Sequence, residues 1–131
     1  MKIGSPKEVM EGERRVAMTP ESARQLQKLG HECYVEAGAG VPAGFTDEAN
    51  READVTVVEG ERALFDAVDV VAKVRPPTEA EVDMLREGQT LISFFYPASN
   101  EDLMERAAER GATVLAMDMV PRISRAQKMD A

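Results

Sequence analysis

Basic side chains follow several predicted strands, and they are the residues best suited to bind an anion. Arg15 lies in the loop after the first strand, Lys73 and Arg75 end a long apolar run, and Tyr96 follows the next run. A guanidinium can hold a carboxylate or phosphate through two parallel hydrogen bonds. Because parallel strands end at one edge of a sheet, these four residues are candidates for a shared anion pocket. Ordinary solvent-exposed loop charges would give the same pattern.

A polar segment near the end of the sequence carries a second set of hydrogen-bonding groups. Arg122, Gln127 and Asp130 combine a guanidinium, an amide and a carboxylate. Together they could bind a planar polar group such as a carboxamide. Most stretches of this composition are solvent-exposed loops, so both interpretations stay open at this point.

Other kinds of chemistry lack the residues they need. The sequence has one histidine, His31, and one cysteine, Cys33, with no Ser/His/Asp set and no metal-ligand spacing. We therefore predict no hydrolytic site, no metal site and no catalytic side chain. The glycines from Gly38 to Gly44 do not form a dinucleotide fingerprint, because the third glycine comes one residue late and Pro42 stands where the phosphate-binding helix should begin. A glycine-rich turn is the simpler interpretation.

The composition is that of a single folded domain. The chain has 131 residues, a hydrophobic share of 44% and a formal net charge of −8. The acidic balance argues against general nucleic-acid binding. A single cysteine allows no internal disulfide and fits a reducing cytosol. No apolar run approaches the ~20 residues that a membrane span needs.

Short β-branched runs alternate with amphipathic helical patterns along the chain. Strands are predicted at 2–4, 33–35, 55–58, 68–74, 90–95 and 113–117. Helices are predicted at 20–29, 47–52, 61–67, 79–87 and 100–110, with Thr19 and Thr78 as N-caps. This alternation predicts an α/β fold, with a mostly parallel sheet of about six strands and helices on both faces, a flavodoxin-like or Rossmann-like three-layer sandwich.

The last residues differ from the rest of the chain in their pattern. Residues 1–121 read as an α/β subdomain, whereas residues 122–131 are polar, show no core periodicity and have no terminator. We interpret 122–131 as the start of a loop that leads to a further domain, so the sequence is expected to be the first domain of something longer.

Several motifs resemble one known family. They are the segments 2–8, 12–20, 36–40, 73–76 and 121–127. Together they are similar to the alanine dehydrogenase and nicotinamide nucleotide transhydrogenase family, over essentially the whole chain. In the intact family protein, a Rossmann domain that grips the NAD pyrophosphate follows this one.

The two branches of that family differ at their substrate residues. The resemblance implies that alanine dehydrogenases hold the substrate carboxylate with an arginine, matched by Arg15, and with a lysine, which Arg75 replaces here. Tyr96 stands where those enzymes have an acid/base histidine. A tyrosine hydroxyl has a pKa near 10 and exchanges protons poorly at neutral pH, which disfavours amino-acid dehydrogenation.

The final segment is similar to the transhydrogenase alpha subunit. There, a loop bearing Arg, Gln and Asp contacts the nicotinamide end of NAD(H), and these residues correspond to Arg122, Gln127 and Asp130. The resemblance implies hydride transfer from NADH to NADP⁺, with NADP(H) on a partner subunit and neither a general base nor a metal in this domain.

The same resemblance implies partners and a location. These are an NADP-binding beta subunit, a proton-translocating membrane domain, a homodimer of the full alpha subunit, and a cytoplasmic position peripheral to the inner membrane, without nucleic acid. By itself the domain is expected to be inactive and to bind NAD(H) poorly. The alternatives are the N-terminal domain of an alanine dehydrogenase and a stand-alone anion-binding module.

Overall fold

The computed structural model describes residues 1–10, 12–94 and 97–117. Its strands are β1 (Lys2–Ser5), β2 (Glu32–Glu36), β3 (Thr56–Val58), β4 (Val70–Ala72), β5 (Thr90–Ser93) and β6 (Thr113–Ala116). Its α-helices are α1 (Pro20–Lys28), α2 (Asp47–Glu52), α3 (Glu61–Ala67), α4 (Glu79–Asp83) and α5 (Pro97–Glu109). Strands and helices alternate along the chain, as the sequence pattern predicts.

The six strands form one sheet in the order β3-β2-β1-β4-β5-β6, and every neighbouring pair is parallel. The predicted α/β fold is confirmed. The chain starts in the middle of the sheet, builds outward through β2 and β3, and then returns to place β4 beside β1. This reversal is the topological switch point at which open α/β sheets form a ligand crevice, at the carboxyl ends of their strands.

Two separate apolar clusters lie on the two faces of the sheet, because successive strand residues point to opposite sides. Ile3 packs with the cluster that includes Ala23 of α1 and Ala53 beside α2. The other cluster contains Leu64 and Phe65 of α3 with side chains from α4, α5 and strands β4 to β6. Helices therefore cover both faces, although not both to the same extent.

Gly4 allows α3 to approach the second face closely. A Cβ atom at this position would lie 2.7 Å from Val68 Cγ1 and 3.0 Å from Leu64 Cδ1. A side chain there would force one of these core residues to move. The glycine in the short opening strand thus sets the distance between β1 and the end of α3.

Both predicted N-caps are confirmed. The Thr19 hydroxyl accepts the Ser22 N–H at 3.1 Å, and the Thr78 hydroxyl accepts the Glu81 N–H at 3.1 Å. The Glu81 carboxylate in turn accepts the Thr78 N–H at 2.8 Å, which completes the predicted capping box.

Several predicted elements are longer in the sequence pattern than in the structure. The strand expected at 68–74 is assigned only from Val70 to Ala72. Beyond it, the Lys73 N–H still bonds to the Ile92 carbonyl at 2.9 Å, and the Val74 N–H bonds to the carboxylate of Glu8. The helix expected at 79–87 ends at Asp83. A separate turn follows it, in which the Gln89 side chain accepts the Arg86 N–H.

The helix expected at 100–110 begins earlier, at Pro97, and contains a break. Asn100 has non-helical backbone angles, φ −132° and ψ 23°, so α5 consists of two helical pieces joined at this residue. The glycine-rich segment is a turn followed by a 3₁₀ turn at Val41–Ala43, as predicted. None of the helices in the described ranges is long and apolar enough to cross a membrane.

Candidate functional site

A buried ion pair occupies the switch point between β1 and β4. Glu8 lies in the loop after β1, and Lys73 follows β4 directly. Their Oε1 and Nζ atoms are 2.9 Å apart, and the two side chains are 2% and 1% exposed. The Glu8 carboxylate also accepts the backbone N–H groups of Val74, at 2.7 Å, and Arg75, at 3.1 Å. One carboxylate therefore fixes both the ammonium and the backbone that leaves β4.

Glu81 gives the Lys73 ammonium a second carboxylate. Its Oε1 atom lies 3.8 Å from Lys73 Nζ, and the Glu81 side chain is 1% exposed. Lys73 Nζ also donates to the carbonyl of Arg75 at 3.1 Å. A buried charge is tolerated only when it is paired and hydrogen-bonded, and these contacts meet that requirement. The capping box of α4 holds Glu81 in place for this contact.

A second buried carboxylate, Glu13, joins two arginines from distant parts of the chain. Arg15 donates to it through Nε and Nη2, both at 2.9 Å, and Arg75 donates through Nε at 2.7 Å. The Arg15 backbone N–H adds a bond of 2.8 Å. The hydrogen bonds from Arg15, with that from Arg75, hold the pKa of Glu13 well below its usual range.

The exposure of the basic side chains separates two roles. The Arg15 side chain is 63% exposed and that of Arg75 is 33% exposed, whereas Lys73 is enclosed. Glu13 orients both guanidiniums, and part of each side chain stays exposed. The Lys73 ammonium already contacts Glu8 and the Arg75 carbonyl. In the structure, the Lys73 ammonium holds the buried end of the cluster together through these contacts.

Acidic side chains on neighbouring elements extend the cluster. Burial, followed by the hydrogen bond and charge of Glu81, raises the pKa of Glu61 to about 8. Burial also raises the pKa of Glu36, against the hydrogen bond that its carboxylate accepts from the Lys7 N–H at 2.7 Å. For Glu61, burial and the nearby Glu81 carboxylate both oppose ionisation.

The geometry can now be compared with known proteins. A family model described as "Alanine dehydrogenase/PNT, N-terminal domain" matches residues 4–131. The chain belongs to this family. The predicted resemblance is confirmed, and the domain is referred to below as an AlaDH/PNT N-terminal domain.

The relatives of this AlaDH/PNT N-terminal domain are longer proteins. The chain is 66% identical over all 131 residues to the NAD(P) transhydrogenase subunit alpha of Cereibacter sphaeroides, of which it covers 25%. It is 40% identical over 121 residues to the alanine dehydrogenase of Halomonas elongata, covering 92% of this chain and 32% of that protein. A crystal structure of a transhydrogenase from Sinorhizobium meliloti matches with a TM-score of 0.86 and 37% identity, over 99% of this chain and 39% of that one.

Three of the seven predicted site residues fall within the described part of the AlaDH/PNT N-terminal domain. Arg15, Lys73 and Arg75 are brought together, although Lys73 and Arg75 lie about 60 residues after Arg15 in the sequence. Several strand-helix units separate them along the chain. The other four lie outside the described residues: Tyr96, Arg122, Gln127 and Asp130.

Sequence reasoning did not assign roles to the three carboxylates of the cluster. Glu8 and Glu13 stand inside the first two family segments, 2–8 and 12–20, and Glu81 was interpreted only as part of a capping box. A usable signal was present, because a lysine near the end of a nearly all-apolar strand needs an anion beside it if its ammonium is buried. The sequence alone could not say which glutamate supplies it.

Proposed function

We propose that this AlaDH/PNT domain is the N-terminal part of the NAD(H)-binding component of a proton-translocating transhydrogenase, which transfers hydride from NADH to NADP⁺. The main support for this proposal is the 66% identity with a transhydrogenase alpha subunit along the entire chain, compared with 40% identity with an alanine dehydrogenase over 121 residues. In this proposal the domain helps to orient one nicotinamide and performs no proton transfer of its own.

The position of the histidine supports this branch of the family. His31 immediately precedes β2, at the amino edge of the sheet, whereas Lys73 and Arg75 follow β4 at the carboxyl edge. The sequence contains no other histidine. The acid/base histidine that the resemblance implies for alanine dehydrogenases is therefore missing from the switch-point cluster. Hydride exchange between two nicotinamides needs no such group.

The residues that would hold NAD(H) are assigned by resemblance. Arg122, Gln127 and Asp130 would bind the carboxamide and fix the ring. Arg15 and Arg75 present partly exposed guanidiniums, which suit an anionic or strongly polar group. Tyr96 would belong to this pocket by resemblance, whereas the Lys73 ammonium is enclosed and pairs with Glu8. NAD(H) supplies the hydride chemistry, and the protein orients it against NADP(H) bound by another subunit.

The proposed partners follow from this assignment. They are a beta subunit that binds NADP(H), a membrane domain that couples hydride transfer to proton movement, and a second alpha subunit. The alpha subunit would then lie on the cytoplasmic side of the inner membrane, attached through its partners. By itself the 131-residue chain would bind NAD(H) weakly and catalyse nothing.

A domain exchange tests the proposed function. The 131 residues replace the corresponding segment of the Cereibacter sphaeroides alpha subunit, which is assembled with its own partner subunits. We expect NADH to reduce an NADP⁺ analogue in these membranes. If the exchanged complex assembles, binds NADH and still shows no transhydrogenation, the proposed function is wrong.

Variants in the final segment test the cofactor residues. In the exchanged complex, Arg122→Ala, Gln127→Ala and Asp130→Ala should each raise the KM for NADH about tenfold, the loss of one good hydrogen bond to a polar group. Lys128→Ala is the matched control, because it removes a charge from the same segment at a position with no assigned contact. Equal effects of Lys128→Ala and Arg122→Ala would contradict the assignment.

An alanine dehydrogenase is the second candidate, favoured by the identity of 40% over 92% of the chain. It requires the exchanged Halomonas elongata enzyme to reduce pyruvate in the presence of ammonia and NADH. It is excluded if that exchange folds without turnover while the transhydrogenase exchange is active. Isothermal titration of NADH into the 131-residue chain tests whether the domain is a stand-alone binding module. Tight binding would support that alternative.

A further inference from the structure

Two carboxyl groups meet at the starts of the helices α3 and α4. Glu61 is the first residue of α3, and Glu81 lies in the first turn of α4. Their side chains are within hydrogen-bonding reach of each other. The Glu81 side chain is 1% exposed, whereas Glu61 is half-buried. An ionised carboxylate only accepts hydrogen bonds, so a bond between these two groups requires a proton.

One oxygen atom of Glu81 lacks a donor. Its Oε1 atom accepts the Thr78 N–H at 2.8 Å and lies 3.8 Å from Lys73 Nζ. Its Oε2 atom is buried, and no N–H or O–H group of the described residues donates to it. A buried acceptor without a donor costs free energy, and more so on a charged group. A carboxylic acid at Glu61 would supply the missing donor.

The surrounding charges decide which of the two carboxyl groups carries the proton. Glu81, Glu36 at the end of β2, and Lys73 after β4 are the charged groups that act on Glu61. Two of these three are acidic and oppose its ionisation, as burial does. Glu81 is instead stabilised as an anion by the Thr78 N–H and by the Lys73 ammonium. The proton therefore belongs on Glu61 and the negative charge on Glu81.

The loop after β1 adds two charged residues around this pair. Lys7 donates its backbone N–H to Glu36 at 2.7 Å, and its charge also favours the Glu36 carboxylate. Glu8 pairs with Lys73 at 2.9 Å. Both residues act on the neighbours of the pair, so they hold the charges of Glu36 and Lys73 in place.

Lys73 links the pair to the backbone of Arg75. The Lys73 ammonium donates to the Arg75 carbonyl at 3.1 Å, and the Glu8 carboxylate accepts the Arg75 N–H at 3.1 Å. Both backbone polar groups of Arg75 are therefore held by the charged cluster. A change of charge beside the ammonium should be felt at the Arg75 carbonyl.

We propose that Glu61 and Glu81 form a proton-dependent bridge between α3 and α4, and that Lys73 transmits its state to Arg75. With the proton present, the Glu61 O–H donates to Glu81 Oε2 and joins the two helix starts. When the proton is lost to solvent, the two carboxylates repel each other and the half-buried Glu61 side chain turns toward water. Glu81 has then lost a donor and attracts the Lys73 ammonium more strongly, which weakens the bond to the Arg75 carbonyl.

The bridge is closed at neutral pH and breaks above about pH 8, because the pKa of Glu61 is raised to about 8. The inference does not depend on the reaction that the longer protein catalyses.

Carbon-13 NMR of the 131-residue chain tests the bridge without any ligand. The side-chain carboxyl of Glu61 and the backbone carbonyl of Arg75 are followed from about pH 5 to 10. We expect both signals to titrate with the same midpoint. In Glu61→Gln the amide N–H₂ replaces the carboxylic acid as a donor at every pH, so the Arg75 signal should become independent of pH. Glu59→Gln is the matched control, because Glu59 is an exposed carboxylate two residues earlier, and it should leave both curves unchanged.

A second variant separates the bridge from simple burial. Glu81→Gln removes the neighbouring charge and keeps the shape, so the midpoint of Glu61 should fall by about 1 pH unit or more. If this variant does not fold, Glu81→Asp, which draws the two carboxyl groups apart by one methylene, should lower the midpoint in the same direction.

Three results would overturn the proposal. Titration of Glu61 at the usual pKa of a glutamate, about 4.3, would show that it holds no proton at neutral pH. A Glu61 midpoint that neither Glu81 variant lowers would show that burial alone holds the proton. An Arg75 carbonyl signal that is independent of pH in the unmodified chain, or that still titrates in Glu61→Gln, would show that the state of the bridge does not reach Arg75.

Discussion

Replacing Glu8 by glutamine should destabilise the domain more than almost any other single isosteric change. The carboxylate accepts three hydrogen bonds, from Lys73 Nζ and from the N–H groups of Val74 and Arg75, and its side chain is 2% exposed. Glutamine retains one acceptor oxygen and turns an N–H₂ group toward donors. Removing one partner of a buried ion pair typically costs about 3–5 kcal/mol. A domain has about 5–15 kcal/mol in total.

The reverse change, Lys73→Met, should cost about as much. It leaves the Glu8 carboxylate with two backbone N–H donors at 2.7 and 3.1 Å, but it removes the cation from both Glu8 and Glu81. Glu8→Gln leaves the buried ammonium with the Arg75 carbonyl at 3.1 Å and with Glu81 at 3.8 Å. Because each variant removes one partner of the same buried ion pair, we expect a loss of about 3–5 kcal/mol for Lys73→Met too.

Urea denaturation followed by circular dichroism measures both losses. With a slope of about 2 kcal/mol/M, a loss of 4 kcal/mol moves the midpoint down by about 2 M. Glu79→Gln is the matched control, because Glu79 pairs with Arg106 at 3.0 Å but the side chains are 76% and 43% exposed. That pair should contribute less than about 1 kcal/mol. For either variant, a loss no larger than that of the control would refute the reasoning.

Three further changes test the cluster and the sheet. The raised pKa of Glu61, about 8 against 4.5 for a free glutamate, means that the native state binds more protons between these values. The free energy of unfolding should then fall as pH rises from about 5 to 8, and Glu61→Gln should flatten urea midpoints across that window. The lowered pKa of Glu13 has the opposite sign: the unfolded state binds the proton first, so stability should fall as pH drops below 4.5, and Glu13→Gln should remove that part of the loss. Gly4→Ala, whose Cβ would meet Val68 at 2.7 Å, should cost about 1–3 kcal/mol in the same urea assay. An unchanged midpoint for Gly4→Ala would mean that α3 can move away from the sheet without loss.

Local patterns predicted the architecture because their causes are local. Thr19 and Thr78 cap their helices through bonds to residues three positions later, so the signal and the structure share the same few residues. The alternation of strands and helices, with right-handed crossovers, then leaves few ways to order a parallel sheet.

Local sequence patterns could not predict the contacts inside the charged cluster. Lys73, Arg75 and Arg15 were identified as cations at strand ends, but their carboxylate partners were not. Glu8 meets Lys73 across 65 residues of sequence, and Glu13 meets Arg75 across 62. No spacing rule connects residues so far apart. The Val74 N–H also reaches Glu8 across 66 residues.

The strand order also fixes when the charged cluster can be assembled during synthesis. β1 is the first strand made, yet its second neighbour is β4, and Glu8 must wait for Lys73 to emerge. Joining ends about 65 residues apart carries a loop-closure cost of roughly 4 kcal/mol, which the nascent chain can repay only after β4 and α3 have docked. Until then, one edge of β1 stays unpaired, and the Glu8 carboxylate lies close to it. A charge near an exposed strand edge disfavours premature edge-to-edge pairing with another chain.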